Sequence, residues 1–132
     1  MTQEEKQLLL TDICARLPYH DLWVQYDNKD WLAIGYGHVR IELLPSPFSS
    51  IAGPCPLIVN IKPYLRPMSS MTEEEIKTYH SYCDCNDGDF TGEILYFDTI
   101  ESFDYLTSIH IDYRGLIPAG LALEAPKEKK NI

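Results

Sequence analysis

Pro63 and Pro67 bracket Tyr64, Leu65 and Arg66 near the midpoint of this 132-residue chain, and the segment then runs into Thr72-Glu73-Glu74-Glu75. Each proline fixes its own φ and pushes the residue before it towards an extended conformation. The chain around Tyr64 to Arg66 must therefore be stiff. Thr72-x-x-Glu75 has the form of a capping box, in which the threonine hydroxyl accepts the Glu75 amide proton and the glutamate side chain reaches back to the Thr72 amide. A helix is expected to begin at Glu73, with a strand ending near Lys62. This pivot separates a strand-rich first half from a helix-rich second half, which predicts an α+β class.

Thr2-x-x-Glu5 repeats the capping-box pattern, and Leu8, Leu9, Leu10, Ile13, Cys14 and Leu17 follow at helical spacing. An amphipathic helix is predicted from Gln3 to Arg16, ended by Pro18. Cys14 reads as a small buried hydrophobe on its inner face. From Leu22 the period falls to two, with Leu22, Val24 and Tyr26 on one face. The polar Asp27-Asn28-Lys29-Asp30 then leads into Trp31 to Tyr36, two strands joined tightly. Gly35 and Gly37 mark a bulge or bend. A third strand, with Val39, Ile41 and Leu43 inward, completes an antiparallel meander, and His38 flanks it as a solvent-facing or hydrogen-bonded side chain.

The stretch 45–56 is rich in proline and serine, which is loop chemistry. Leu57 to Ile61 is a β-branched run expected to be a buried strand. Beyond the pivot, Ile76, Tyr79, His80 and Cys83 recur at helical spacing, and Asp84 to Asp89 form a polar turn. Residues 93–97 read as a short strand. Asp98-x-x-Glu101 is expected to cap a third helix with Ile100, Phe103, Leu106 and Ile109 inward. Residues 112–122 hold two glycines and a proline among small apolar residues, a hook packed on the body. The whole is read as one α+β domain over residues 1–126: an N-terminal helix, an antiparallel meander, two further helices and the hook. A polar, frayed tail follows at 127–132.

The net charge is −9. Setting aside the tail, with three lysines and one glutamate, leaves 8 basic against 19 acidic residues. A body this acidic repels phosphate backbones, so duplex nucleic acid is excluded as a partner. No run approaches the length of about 20 apolar residues that spans a bilayer. The acidic N-terminus resembles no secretory leader, and the four cysteines are expected to be reduced in the cytoplasm.

For chemistry, His80-x-x-Cys83-x-Cys85 with neighbouring aspartates is the strongest local hint of a metal. Zinc sites ordinarily space paired cysteines by two to four residues, whereas here the spacing is one. As a calcium loop starting at Asp84 the stretch puts Leu95 where a carboxylate is needed. The plain reading is a polar turn, and no cofactor is expected. No serine or cysteine stands in a nucleophile setting and no glycine-rich phosphate loop occurs. Arg66 and Arg114, with Tyr64 and Tyr113 beside them, form the candidate binding surface, because a guanidinium held in a rigid segment can take a carboxylate or stack on a ring. The alternative for both arginines is an internal ion pair, which the many carboxylates favour.

Two segments, Lys62 to Thr72 and His110 to Ala122, resemble paired signatures, approximately KPxLRPLSxLT and HFDxxGLIxxGLA, of small uncharacterised phage and mobile-element proteins of gut bacteria. This chain departs at Met68, Ile111 and Pro118. The resemblance implies a genetic context and no activity. The expected function is a non-enzymatic accessory protein acting on an unidentified protein partner. The alternatives are a metal-dependent module or enzyme built on His80, Cys83 and Cys85, and an acidic mimic of nucleic acid.

Overall fold

The computed structural model describes residues 1–19, 21–37, 40–46, 49, 53–86 and 95–126. His38, Val39, Asp87 to Asp89, the first two residues of the strand expected at 93–97 and the tail 127–132 lie outside them. Helix α1 spans Gln3–Arg16 and is followed by strands β1 (Trp23–Tyr26), β2 (Lys29–Gly37) and β3 (Arg40–Leu44). Strand β4 (Lys62–Leu65) leads to helix α2 (Glu73–Tyr82), a short pair β5 (Asp84–Asn86) and β6 (Leu95–Phe97), helix α3 (Ile100–Ser108) and strand β7 (Leu123–Glu124). The main sheet has the order β3-β2-β1-β4-β7, antiparallel throughout except for the parallel pair β4·β7. This is an α+β fold in one domain.

Local sequence explains the first half. Both capping-box bonds are made at Thr2 and Glu5, and α1 starts and stops where the pattern placed it. Asp27 (φ 53°) and Asn28 (φ 57°) are both left-handed, the geometry of a type I′ turn whose twist suits a two-residue hairpin. That turn fixes the register Tyr26↔Lys29 to Trp23↔Leu32, which puts Val24 on the core face. A bulge between Ala33 and Gly35 re-aims the rest of β2 against β3.

One face of the sheet carries Leu22, Val24, Ala33, Ile41 and Leu43 against Leu9 and Ile13 of α1, with Leu65, Leu116 and Leu121 closing the far side. Each of the leucine, isoleucine and valine side chains, fully buried, contributes about 1.5–3 kcal/mol. Beside β3, residues 53–56 of the proline-rich stretch are held in place. The Ile41 amide donates to the Pro56 carbonyl and the Leu43 amide to Pro54, each at 3.1 Å, while Arg40 Nη1 donates to the Cys55 carbonyl at 2.9 Å. Gly53 comes so close that a Cβ would lie 2.2 Å from the Leu43 oxygen.

Several expectations are corrected. The run 57–61 is not a strand: Leu57 makes a single bridge to Arg40 and Ile58–Asn60 turn as a 3-10 helix. The strand is the pivot itself. Pro63 pairs with Val24 on one side, and β7 begins only opposite Tyr64, so the proline is flanked by one strand, a position that tolerates a missing amide. Residues 84–86 are strand rather than turn. Helix α3 is capped by Thr99 with Ser102, not by Asp98 with Glu101. The inward face also differs from the expected one: Ser102, Leu106 and Thr107 face inward, and Ile100 is 78% exposed and Phe103 40%. Helix α2 buries no residue fully, so Ile76, Tyr79, His80 and Cys83 do not form a core stripe.

Candidate functional site

The pivot and the hook meet through backbone. The Arg66 amide donates to the His110 carbonyl at 2.9 Å and the Asp112 amide to the Arg66 carbonyl at 2.8 Å, a parallel bridge that continues β4·β7. Asp112 is buried and its two carboxylate oxygens accept the Leu116 and Ile117 amides at 2.8 and 2.9 Å, which winds the hook back onto the core. The side chains of the four candidate surface residues nevertheless diverge. Tyr64 donates its hydroxyl to Asp30 at 2.6 Å. Arg66 makes a bidentate pair with Glu75, at 2.8 and 2.6 Å, and a further bond to the Ser70 carbonyl. That guanidinium holds the Glu75 carboxyl down at about 2, with the Thr72 cap adding to the effect.

Arg114 and Tyr113 belong to a different assembly. Asp12, fully buried on α1, accepts from Arg16 Nε at 2.8 Å and Nη2 at 3.0 Å, and from Arg114 Nη1 at 2.7 Å. Arg16 is itself fully buried, and its Nη2 also donates to the Ile111 carbonyl at 2.7 Å. The Tyr113 ring lies 4.7 Å from the Arg114 guanidinium centre and 5.7 Å from that of Arg16. Two cations therefore share one carboxylate around a tyrosine ring. Arg16 Nη1 is buried without a hydrogen-bond partner among the described residues. Sequence reading missed Asp12 and Arg16, although the signal was present: both fall within the Leu9, Ile13 stripe that faces the core, four residues apart.

Over this network lies an open depression of about 400 Å³. Ala15 and Tyr19 form the α1 side, Ile100, Phe103 and Thr107 the α3 side, and Tyr113 with Arg114 the hook side, with Asp104 on the rim. Phe103 and Tyr113 pack with ring centroids 5.2 Å apart. A neighbouring depression shares Tyr19 and Asp104 and adds Tyr82, Glu101 and Tyr105, so the two form one continuous surface along the outside of α3.

The suggested metal ligands are arranged otherwise. The His80 ring stacks on Tyr96 at 3.7 Å and 5° across the α2 and β6 elements. Cys83 follows α2 half-buried, Cys85 is exposed on β5 opposite Tyr96, and both are free thiols. Among the described residues no group of three or more His, Cys, Asp or Glu side chains is placed to hold a metal ion. Tyr79 beside them donates to Asp98, and burial together with that carboxylate pushes its hydroxyl pKa up. No helix among the described residues is long and apolar enough to cross a membrane. Comparison with known proteins finds no matching family, no matching curated protein and no matching solved structure.

Proposed function

We propose that the chain is a non-enzymatic accessory protein of a phage or mobile element, working in the cytoplasm by binding a protein partner through the outer face of α3, the end of α1 and the hook. The observation that carries this reading is the continuous surface on which Ile100, Phe103 and Tyr82 stay exposed beside Tyr19, Tyr105 and Tyr113. Contiguous apolar surface of this kind is uncommon on a chain that binds nothing, and Tyr and Arg are favoured anchors in interfaces. Tyr113 and Arg114 belong to the proposed surface. Tyr64 and Arg66 do not, because their side chains are tied to Asp30 and Glu75. A second copy of the chain is a poor occupant, since each copy would bring a charge of −9.

The test is affinity capture from the native host with the wild type, the double variant Ile100→Asp/Phe103→Asp and the control Arg66→Ala, each checked for native circular dichroism. A protein retained by the wild type and the control and lost with the double variant is expected. If the double variant retains every protein the wild type does, the surface is wrong.

A further inference from the structure

We infer that the depression beneath Arg114 is an anchor for the C-terminal residue of the partner, taking its carboxylate and an apolar side chain together; this rests on the protein-binding reading above. Charge comes first. Asp12 is the single carboxylate paired with Arg16 and Arg114 among the described residues, so the two guanidiniums share one counter-ion, while Asp112 gives both its oxygens to the Leu116 and Ile117 amides. Arg16 cannot reach water, and its Nη1 already lacks a partner. Arg114 uses one Nη on Asp12, and its Nε and other Nη have no partner among the described residues.

The walls set the other half of the ligand. Thr107 donates its hydroxyl to the Phe103 carbonyl at 2.8 Å, so in its contact with Tyr113 at 3.0 Å the tyrosine is the donor. Arg114 is then the one lining side chain with free N–H groups for an anion. The rest of the lining is largely apolar, formed by Tyr19, Ile100, Phe103 and the Tyr113 ring. Within a protein partner, an internal residue offers either a carboxylate or a large apolar side chain. A C-terminal aromatic or aliphatic residue offers both on one Cα. Asp104 opposes an anion, but it is exposed on the rim, where water screens it.

The test is an amide-resolved NMR titration of the full chain with N-acetyl-phenylalanine, N-acetyl-phenylalaninamide, N-acetylglycine and 3-phenylpropionate. N-acetyl-phenylalanine is expected to shift the amides of residues 100–107 and 113–114 with a Kd of about 1 mM, a usual strength for so small a ligand. The amide and N-acetylglycine should each bind at least about tenfold more weakly, since each lacks one of the two features. Arg114→Gln should abolish the preference for the acid over the amide, and Asp104→Asn should tighten the acid about twofold. Arg114→Gln leaves the Asp12–Arg16 pair in place; if it fails to fold, the Asp104→Asn arm still decides. Equal binding of acid and amide, or no binding at tens of millimolar, overturns the anchor. N-acetylglycine binding as well as the phenylalanine reduces it to an anion site, and 3-phenylpropionate binding more tightly makes it a site for small aromatic acids; both overturn it. Acid-selective binding beside an unchanged set of captured proteins would retain the site and remove the protein partner.

Discussion

Asp12 decides more than any other single side chain, because it neutralises Arg16 in the core and ties α1 to the hook through Arg114. Asp12→Ala should cost about 3–5 kcal/mol, since it strands a buried guanidinium. Arg16→Met should cost far less, as the methionine fills similar volume without a charge. Urea midpoints of the two variants check the order. The pair was hidden in the sequence for a physical reason: aspartate and arginine four residues apart on a helix look like a solvated surface pair, and only the burial of their neighbours Leu9 and Ile13 says otherwise. Arg66 and Arg114 were legible as anchored guanidiniums, whereas their counter-ions, 9 and 102 residues away, were not. Gly53 carries a second consequence. Gly53→Ala should destabilise by about 2 kcal/mol or more, because backbone atoms of β3 stand where the methyl must go.

Among the elements, the caps were readable because a capping side chain bonds to backbone three residues away and needs nothing distant. Thr2 and Thr72 follow that rule, and the Asp27-Asn28 turn is as local because it is set by the φ of two adjacent residues. Helix α3 shows where it fails: Asp98 and Thr99 are both good caps and the helix takes the second, while Ile100 and Phe103 are left outward by packing that no local signal announces. Strand β7 left no local trace, since its partner β4 lies almost sixty residues earlier and the pairing is only two residues long. Thr72→Ala should cost about 1 kcal/mol through the lost cap. Glu75 serves both that cap and Arg66. With a carboxyl held at about 2 in the folded chain, below its ordinary value of 4.5, its contribution is complete above pH 4.5 and fades as the pH falls towards 2. Solvent reaches this pair, so the loss is about 1 kcal/mol. In Glu75→Gln the acid limb of a stability-against-pH curve should flatten by that amount relative to wild type.

For the molecule as a whole, the charge of −9 sets the response to salt. Mutual repulsion among dispersed carboxylates weakens as the Debye length shrinks from about 30 Å at 0.01 M to about 8 Å at 0.15 M. The melting temperature should therefore rise over that interval, and a fall would mean that its ion pairs outweigh the repulsion. The proline-rich strip along β3 has a further consequence for so acidic a chain. Pro54 and Pro56 give their carbonyls to β3, and Arg40 takes the Cys55 carbonyl. A foreign strand arriving at residues 54–56 finds those three carbonyls already taken. The margin thus offers a strand few acceptors, which hinders edge-to-edge aggregation even where charge repulsion has been screened away.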